Sequence, residues 1–216
     1  MPRTITIRGE GHVRLSPDTV SVDMVLKTTD KNYDKSMAEA ADMLAKLRGA
    51  FSGIGFAEDD LKTTGFNVYT EHESVRDKDG NYKSVFAGYS CVHNLRLEFA
   101  FDTALLSSVL SAVSGCVADP ELNIRFTVKD KKSATDALLA DAAADAIRKA
   151  GILASASGVS LGKLIGIYYS FGEPEVYSKT NYRMDAKCMA TAAGGISINP
   201  EDIELDDHAT FTWEMV

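Results

Sequence analysis

Cysteine is scarce in this chain: Cys91, Cys116 and Cys188 are scattered through 216 residues without CxxC or CxxH spacing. An odd, sparse set of this kind excludes a disulfide framework and a zinc-finger site, and fits a reducing compartment. No run of eighteen or more apolar residues occurs, so no membrane span is expected. Basic residues are outnumbered, 23 Lys and Arg against 31 Asp and Glu, for a net charge of −8. Nucleic-acid binding leans on Lys and Arg, so that role is disfavoured. The sequence also lacks HExxH, a P-loop and a dinucleotide-binding glycine motif. No cofactor and no metal is expected from its motifs.

The start, MPRTITIRGEG, enters an alternating pattern almost at once and has no apolar h-region. As written this predicts a cytoplasmic protein, or a periplasmic or envelope one if the chain was cut from a longer precursor. With 45% hydrophobic and 25% charged residues, the composition is that of an ordinary globular domain with length enough for a packed core.

Strands are announced by period-two alternation. Ile5, Ile7, Val13 and Leu15 share odd positions, with Gly9 and Gly11 on that same apolar side, where they suggest a bulge or a close backbone approach. Val20, Val22, Met24 and Leu26 resume the pattern after Ser16-Pro17-Asp18. A helix follows, with Tyr33, Met37, Ala40, Ala41, Leu44, Leu47 and Phe51 at three- and four-residue steps and Thr29 or Asn32 as its cap. Strands near 61–71 and 87–101 flank the polar stretch ESVRDKDGNYKS and form a hairpin whose loop, about 72–84, is expected to be mobile. Asp102 caps a short helix, Leu122 to Val128 alternate, residues 131–157 are alanine-rich helix formers, and Ile165 to Phe171 give another strand. Residues 172–200 show no clear period and are expected to form a mobile or docked loop.

The pattern predicts a single α+β domain over 1–216, a largely antiparallel sheet with three helices packed mainly on one face.

The closing stretch, GGISINPEDIELDDHATFTWEMV, packs Glu201, Asp202, Glu204, Asp206, Asp207 and His208 into eight positions. Such density suits a metal or an acid–base pair. Yet Ile203, Leu205, Ala209, Phe211, Trp213 and Met215 are odd, and from Asp202 onward the polar residues are even except Asp207. The acids therefore read as the solvent side of a strand, with Arg8, Arg14 and Arg96 as available cross-strand partners.

His93 lies on an apolar face with Tyr89, Cys91, Leu95 and Leu97. A buried, hydrogen-bonded histidine accounts for it. The sharper alternative is a small pocket of His93, Cys91 and Tyr69. In 172–200, Tyr177, Tyr182, Arg183, Met184 and Met189 are interface-type residues and form the candidate contact surface.

Four stretches together carry a resemblance: ITIRGEGHVRLSPDTVSVDMVL, EDDLKTTGFNVYTEHE, GYSCVHNLRLEF and INPEDIELDDHATFTWEM, with the helix ending GVSLGKLIGI between the last two. The chain resembles the SIMPL-domain family, bacterial and animal proteins named for a partner of a pelle-like kinase. The resemblance implies an α+β fold, frequent export to the periplasm or envelope, and roles around stress response and signalling. It implies no agreed catalytic residues. The expected function is a non-enzymatic binding or scaffold protein with protein partners, working as a homo-oligomer. The rival is a metal- or ligand-dependent enzyme built on His93 or the C-terminal acids.

Overall fold

The structure, a computed structural model, describes residues 3–76, 81–116, 121–170, 172, 174–184 and 198–216. In chain order the elements are β1 (Thr4–Leu15), β2 (Thr19–Asp30), α1 (Tyr33–Ser52), a 3-10 turn (Glu58–Asp60), β3 (Leu61–Arg76), β4 (Tyr82–Ala100), α2 (Thr103–Gly115), β5 (Glu121–Thr127), α3 (Lys131–Ala156), β6 (Leu161–Tyr168), β7 (Tyr177–Met184) and β8 (Ile203–Met215). The fold is α+β, as the periodicity predicts. Its strands divide between two sheets, of order β1-β8-β6 and β3-β4-β2-β5-β7. The pairs β1–β8, β6–β8, β2–β4 and β3–β4 are antiparallel. The chain forms two compact units, one of residues 1–18, 127–179 and 200–216, the other of residues 19–126 and 180–199.

In the first unit, α3 lies on the β1–β8 face. It is held there by a row of small residues, Ala142, Ala146, Ala150 and Ala154, four apart and all buried. Spacing by four keeps the row on one helix face, and methyl groups let the helix axis come close to the sheet. Gly9 and Gly11 complete the fit. A Cβ built on Gly9 would sit 2.0 Å from the Ala142 carbonyl oxygen, and one on Gly11 would sit 2.2 Å from that of Leu138. The glycines therefore serve a close approach within the chain. The β1–β8 register runs without a bulge from Thr4↔Glu214 to Leu15↔Ile203.

In the second unit, α1 and α2 cover one face of the five-stranded sheet. Leu47 and Phe51 of α1 and Leu106, Val109, Leu110 and Val113 of α2 bury against the even residues of β2 and the odd residues of β4. Asn32 caps α1 by accepting from the amides of Asp34 and Lys35, and Asp102 caps α2 by accepting from Ala104 and Leu105. Both caps were readable in the sequence.

Two loop expectations are corrected. β3 and β4 continue to Arg76 and Tyr82, so most of 72–84 is strand, and the DKDG turn at 77–80 lies outside the described residues. Within 172–200, residues 177–184 are strand β7. That strand escapes a search for alternating apolar residues because an inward position is Ser178, buried with its hydroxyl donating to the Glu201 carbonyl at 2.7 Å.

Candidate functional site

A groove of about 590 Å³ runs along the free side of β1, lined by Glu10, His12, Asp141, Ala144, Asp145, Arg148 and Lys149. Its geometry follows from where the β1 amides point. The Glu10 amide donates to Asp145 Oδ2 at 3.0 Å and the His12 amide to Asp141 Oδ2 at 2.9 Å. Both amides thus face away from β8, and two carboxylates on one flank of α3 satisfy what would otherwise be a bare sheet edge.

The same fact makes Glu10/His208, His12/Asp206 and Arg14/Glu204 the non-hydrogen-bonded pairs of the β1–β8 ladder, whose side chains stand closest together. His12 Nδ1–H donates to Asp206 Oδ1 at 2.5 Å, and Arg14 Nε donates to Asp202 at 2.8 Å. The terminal acids therefore form a strand face with cross-strand partners. Of the three arginines suggested for that task, Arg14 performs it. Arg8 opposes Thr210, and Arg96 instead meets Asp23, which also accepts from Arg125. Asp207, the one acid on the inner face, stands opposite Gly11, where no side chain competes for space, and accepts from the Tyr169 hydroxyl at 2.6 Å.

Electrostatics in the groove follow from these contacts. Hydrogen bonds from Lys149, the Glu10 amide and Arg148 hold the Asp145 carboxyl well below the usual carboxylate range. The hydrogen bond to Asp206 raises the His12 imidazole above its usual 6.5, against the lowering effect of desolvation, and the charges of Asp206, Glu10 and Asp141 add to the rise. A raised folded value means His12 contributes stability that is complete below about 6.5 and is lost as pH rises through the folded value. An NMR titration of the His12 ring is expected to show a midpoint above 6.5, returning toward 6.5 in Asp206→Asn. An unchanged midpoint in that variant would show that the pair does not form in solution.

The three residues of the His93 group do not share one face of their sheet. His93 is 7% exposed, its Nε2 lies 2.8 Å from the Thr63 hydroxyl, and its ring meets Phe66 edge-on at 5.2 Å. Burial, with a smaller part from the Arg48 charge, lowers its pKa and favours the neutral ring. Cys91 is buried on the same strand face, and burial pushes its thiol up. Tyr69 pairs with Ser90, so its ring stands on the opposite face of the sheet and does not join the other two. Among the described residues, no group of three or more His, Cys, Asp or Glu could hold a metal ion.

Gly158-Val159-Ser160-Leu161-Gly162 spells GxSxG. Here it runs from α3 into β6, helix to strand, whereas a nucleophile elbow needs strand then helix. Gly158, at φ +69°, ends the helix.

Four of the five contact candidates of 172–200 lie on β7. Tyr177 lies under Lys131, whose ammonium is 5.0 Å from its ring centre. Tyr182 and Arg183 are exposed on β7, Met184 ends that strand, and Met189 lies outside the described residues.

The more prominent exposed surface was missed. β4 leaves β2 at the Asp30↔Tyr89 pair, and from there β3 and β4 continue as a two-stranded arm. Tyr82, 74% exposed, and Phe86 share one face of that arm, and an edge-to-face row links His72, Phe86, Tyr89 and Tyr33 at centroid separations of 6.0, 5.3 and 5.7 Å. The signal was the even spacing of Tyr82, Ser84 and Phe86, the first two of them within the stretch read as loop.

Among the described residues no helix is long and apolar enough to cross a membrane. The model of the SIMPL family, a protein family of unknown function, matches residues 5–213. Two proteins, each called "26 kDa periplasmic immunogenic protein", from Brucella melitensis and from Brucella abortus strain S19, are 28% identical over 169 residues. The match covers 77% of this chain and 66% of each relative, so the chain spans less than two thirds of their length.

Proposed function

The chain belongs to the SIMPL family, and from that premise we propose that it is a non-enzymatic binding or scaffold protein engaging protein partners through the β3–β4 arm. The observation that supports this reading is the arm itself, which presents Tyr82, Val85 and Phe86 to solvent beyond the edge of the sheet. Large exposed apolar groups on a projecting element are costly unless they are used, and Tyr and Phe are enriched where proteins meet. Tyr182 and Arg183 on β7 supply a second, smaller candidate surface. The proposed setting is the periplasm, after the names of the Brucella relatives; a role in stress response or signalling, following the family resemblance, and a homo-oligomeric state are proposed with it.

The test is capture from native envelope extract with wild-type protein and with the Tyr82→Ala/Phe86→Ala variant. The variant is expected to lose the captured partner while its far-UV circular dichroism stays that of the wild type, because both side chains lie outside the core. Retention of every partner would remove the arm from the proposal. Reproducible turnover in a hydrolase and oxidoreductase screen, abolished by one polar substitution, would overturn the non-enzymatic reading. Deleting 172–200 is a poor alternative, since it removes β7 from its sheet.

A further inference from the structure

The two edges of the three-stranded sheet are treated differently. On β1, Asp141 and Asp145 occupy the outward amides of His12 and Glu10. β6, the opposite edge, pairs with β8 alone among the described residues. Its sequence is LGKLIGIY, and Leu164, Ile165, Ile167 and Tyr168 are all exposed, Tyr168 to 74%. Ile147 extends this surface: on α3 it follows the buried Ala146 and so lies on the flank away from Asp145. By their partners on β8, Leu164 and Ile167 stand on the α3 side of the sheet and Tyr168 on the other, so β6 exposes large apolar residues on both sides of this edge, as association surfaces do.

We infer that β6 is the contact at which a second copy of this chain docks, strand against antiparallel strand about a two-fold axis. The inference rests on the homo-oligomeric reading above and names its surface. Three observations select a second copy. First, about an axis through Ile165, Tyr168 of one copy falls at the level of Gly162 of the other, and Lys163 at that of Ile167. Tyr168 thus meets a glycine across the axis. The two Lys163 ammoniums are offset by about 13 Å at about 3.3 Å per residue, beyond a screening length of about 8 Å. Second, β6 contains none of the chain's 31 acids, so two copies carrying −8 each meet least repulsion here. Third, β1 is guarded by carboxylates while β6 has no further strand beside it among the described residues, so this sheet pairs once and the assembly closes. Register shifts between Leu161 and Leu164 and between Leu164 and Gly166 interrupt the amide row of β6. Side-chain burial therefore supplies most of the contact, and the strand is a poor template for open-ended addition.

Light scattering after size exclusion at about 50 µM, with wild type, Ile165→Glu and Ile165→Val, tests this. The wild type and Ile165→Val are expected at twice 23.3 kDa, and Ile165→Glu at 23.3 kDa with an unchanged circular dichroism spectrum. A wild type at 23.3 kDa overturns both this inference and the homo-oligomeric reading. An oligomer of any size that Ile165→Glu leaves intact overturns the β6 contact alone. An Ile165→Glu variant without the native spectrum is replaced by Tyr168→Glu, judged by the same masses.

Discussion

Gly9→Ala and Gly11→Ala are each expected to melt about 6–12 °C below the wild type, the effect of about 3 kcal/mol in a chain of this size. An alanine Cβ at residue 9 would lie 2.0 Å from the Ala142 carbonyl oxygen and 2.7 Å from the Ala146 methyl. At residue 11 it would meet the Leu138 carbonyl oxygen at 2.2 Å. The nearest obstacles are helix backbone, so no side-chain rotation relieves them and α3 must lift from β1. Lifting it draws Asp141 and Asp145 away from the amides of His12 and Glu10, which hydrogen exchange should report as faster exchange at those two positions. Gly151→Ala is the control. It sits inside α3 with nothing within 4 Å of an added Cβ, so alanine there should stabilise by about 0.5–1 kcal/mol. If Gly9→Ala and Gly151→Ala melt alike, α3 does not rest on the glycines.

That contrast shows what the sequence could and could not disclose. Alternation placed Gly9 and Gly11 on the apolar side of β1 and raised a close approach as one explanation, but it could not say what approaches. The answer lies about 130 residues away in a helix whose alanines read as good helix formers rather than as a packing row. The groove was hidden for a related reason. Periodicity assigns Glu10 and His12 to the outer face, and it assigns Asp141 and Asp145 to no face in particular. Only the chain's return brings these carboxylates to the edge amides. The C-terminal strand was more legible because its burial alternates with period two, and Asp207, the exception, is explained by Gly11 across the ladder. The division into two sheets was not legible, since a strand's own residues do not record which strand lies beside it. β7 was lost because hydrogen bonding, rather than apolar burial, holds its inward Ser178.

The second unit should be most sensitive at Phe51. This side chain is 2% exposed and closes the α1 stripe predicted from Ala40, Leu44 and Leu47. Its ring meets Phe56 at 6.1 Å, and Phe56 meets Phe99 of β4 at 5.6 Å, both edge-to-face. The Phe51 carbonyl accepts from the amides of Ile54 and Phe56, each at 3.1 Å, so the residue also anchors the turn through Gly55, at φ +100°, that carries the chain out of α1. Phe51→Ala removes the ring and leaves a cavity that a helix pinned at this turn cannot collapse to fill. Truncations of this kind cost about 3–5 kcal/mol, which lowers the melting point by roughly 6–20 °C here. Phe51→Leu keeps most of the volume and forfeits chiefly the aromatic contact, worth about 0.5–1.5 kcal/mol, so it should fall between alanine and wild type. Urea unfolding of the three proteins checks the order. Equal midpoints for the alanine and leucine variants would mean that the site relaxes around the lost ring, and that α1 is held to the sheet by Leu47 rather than by this aromatic chain.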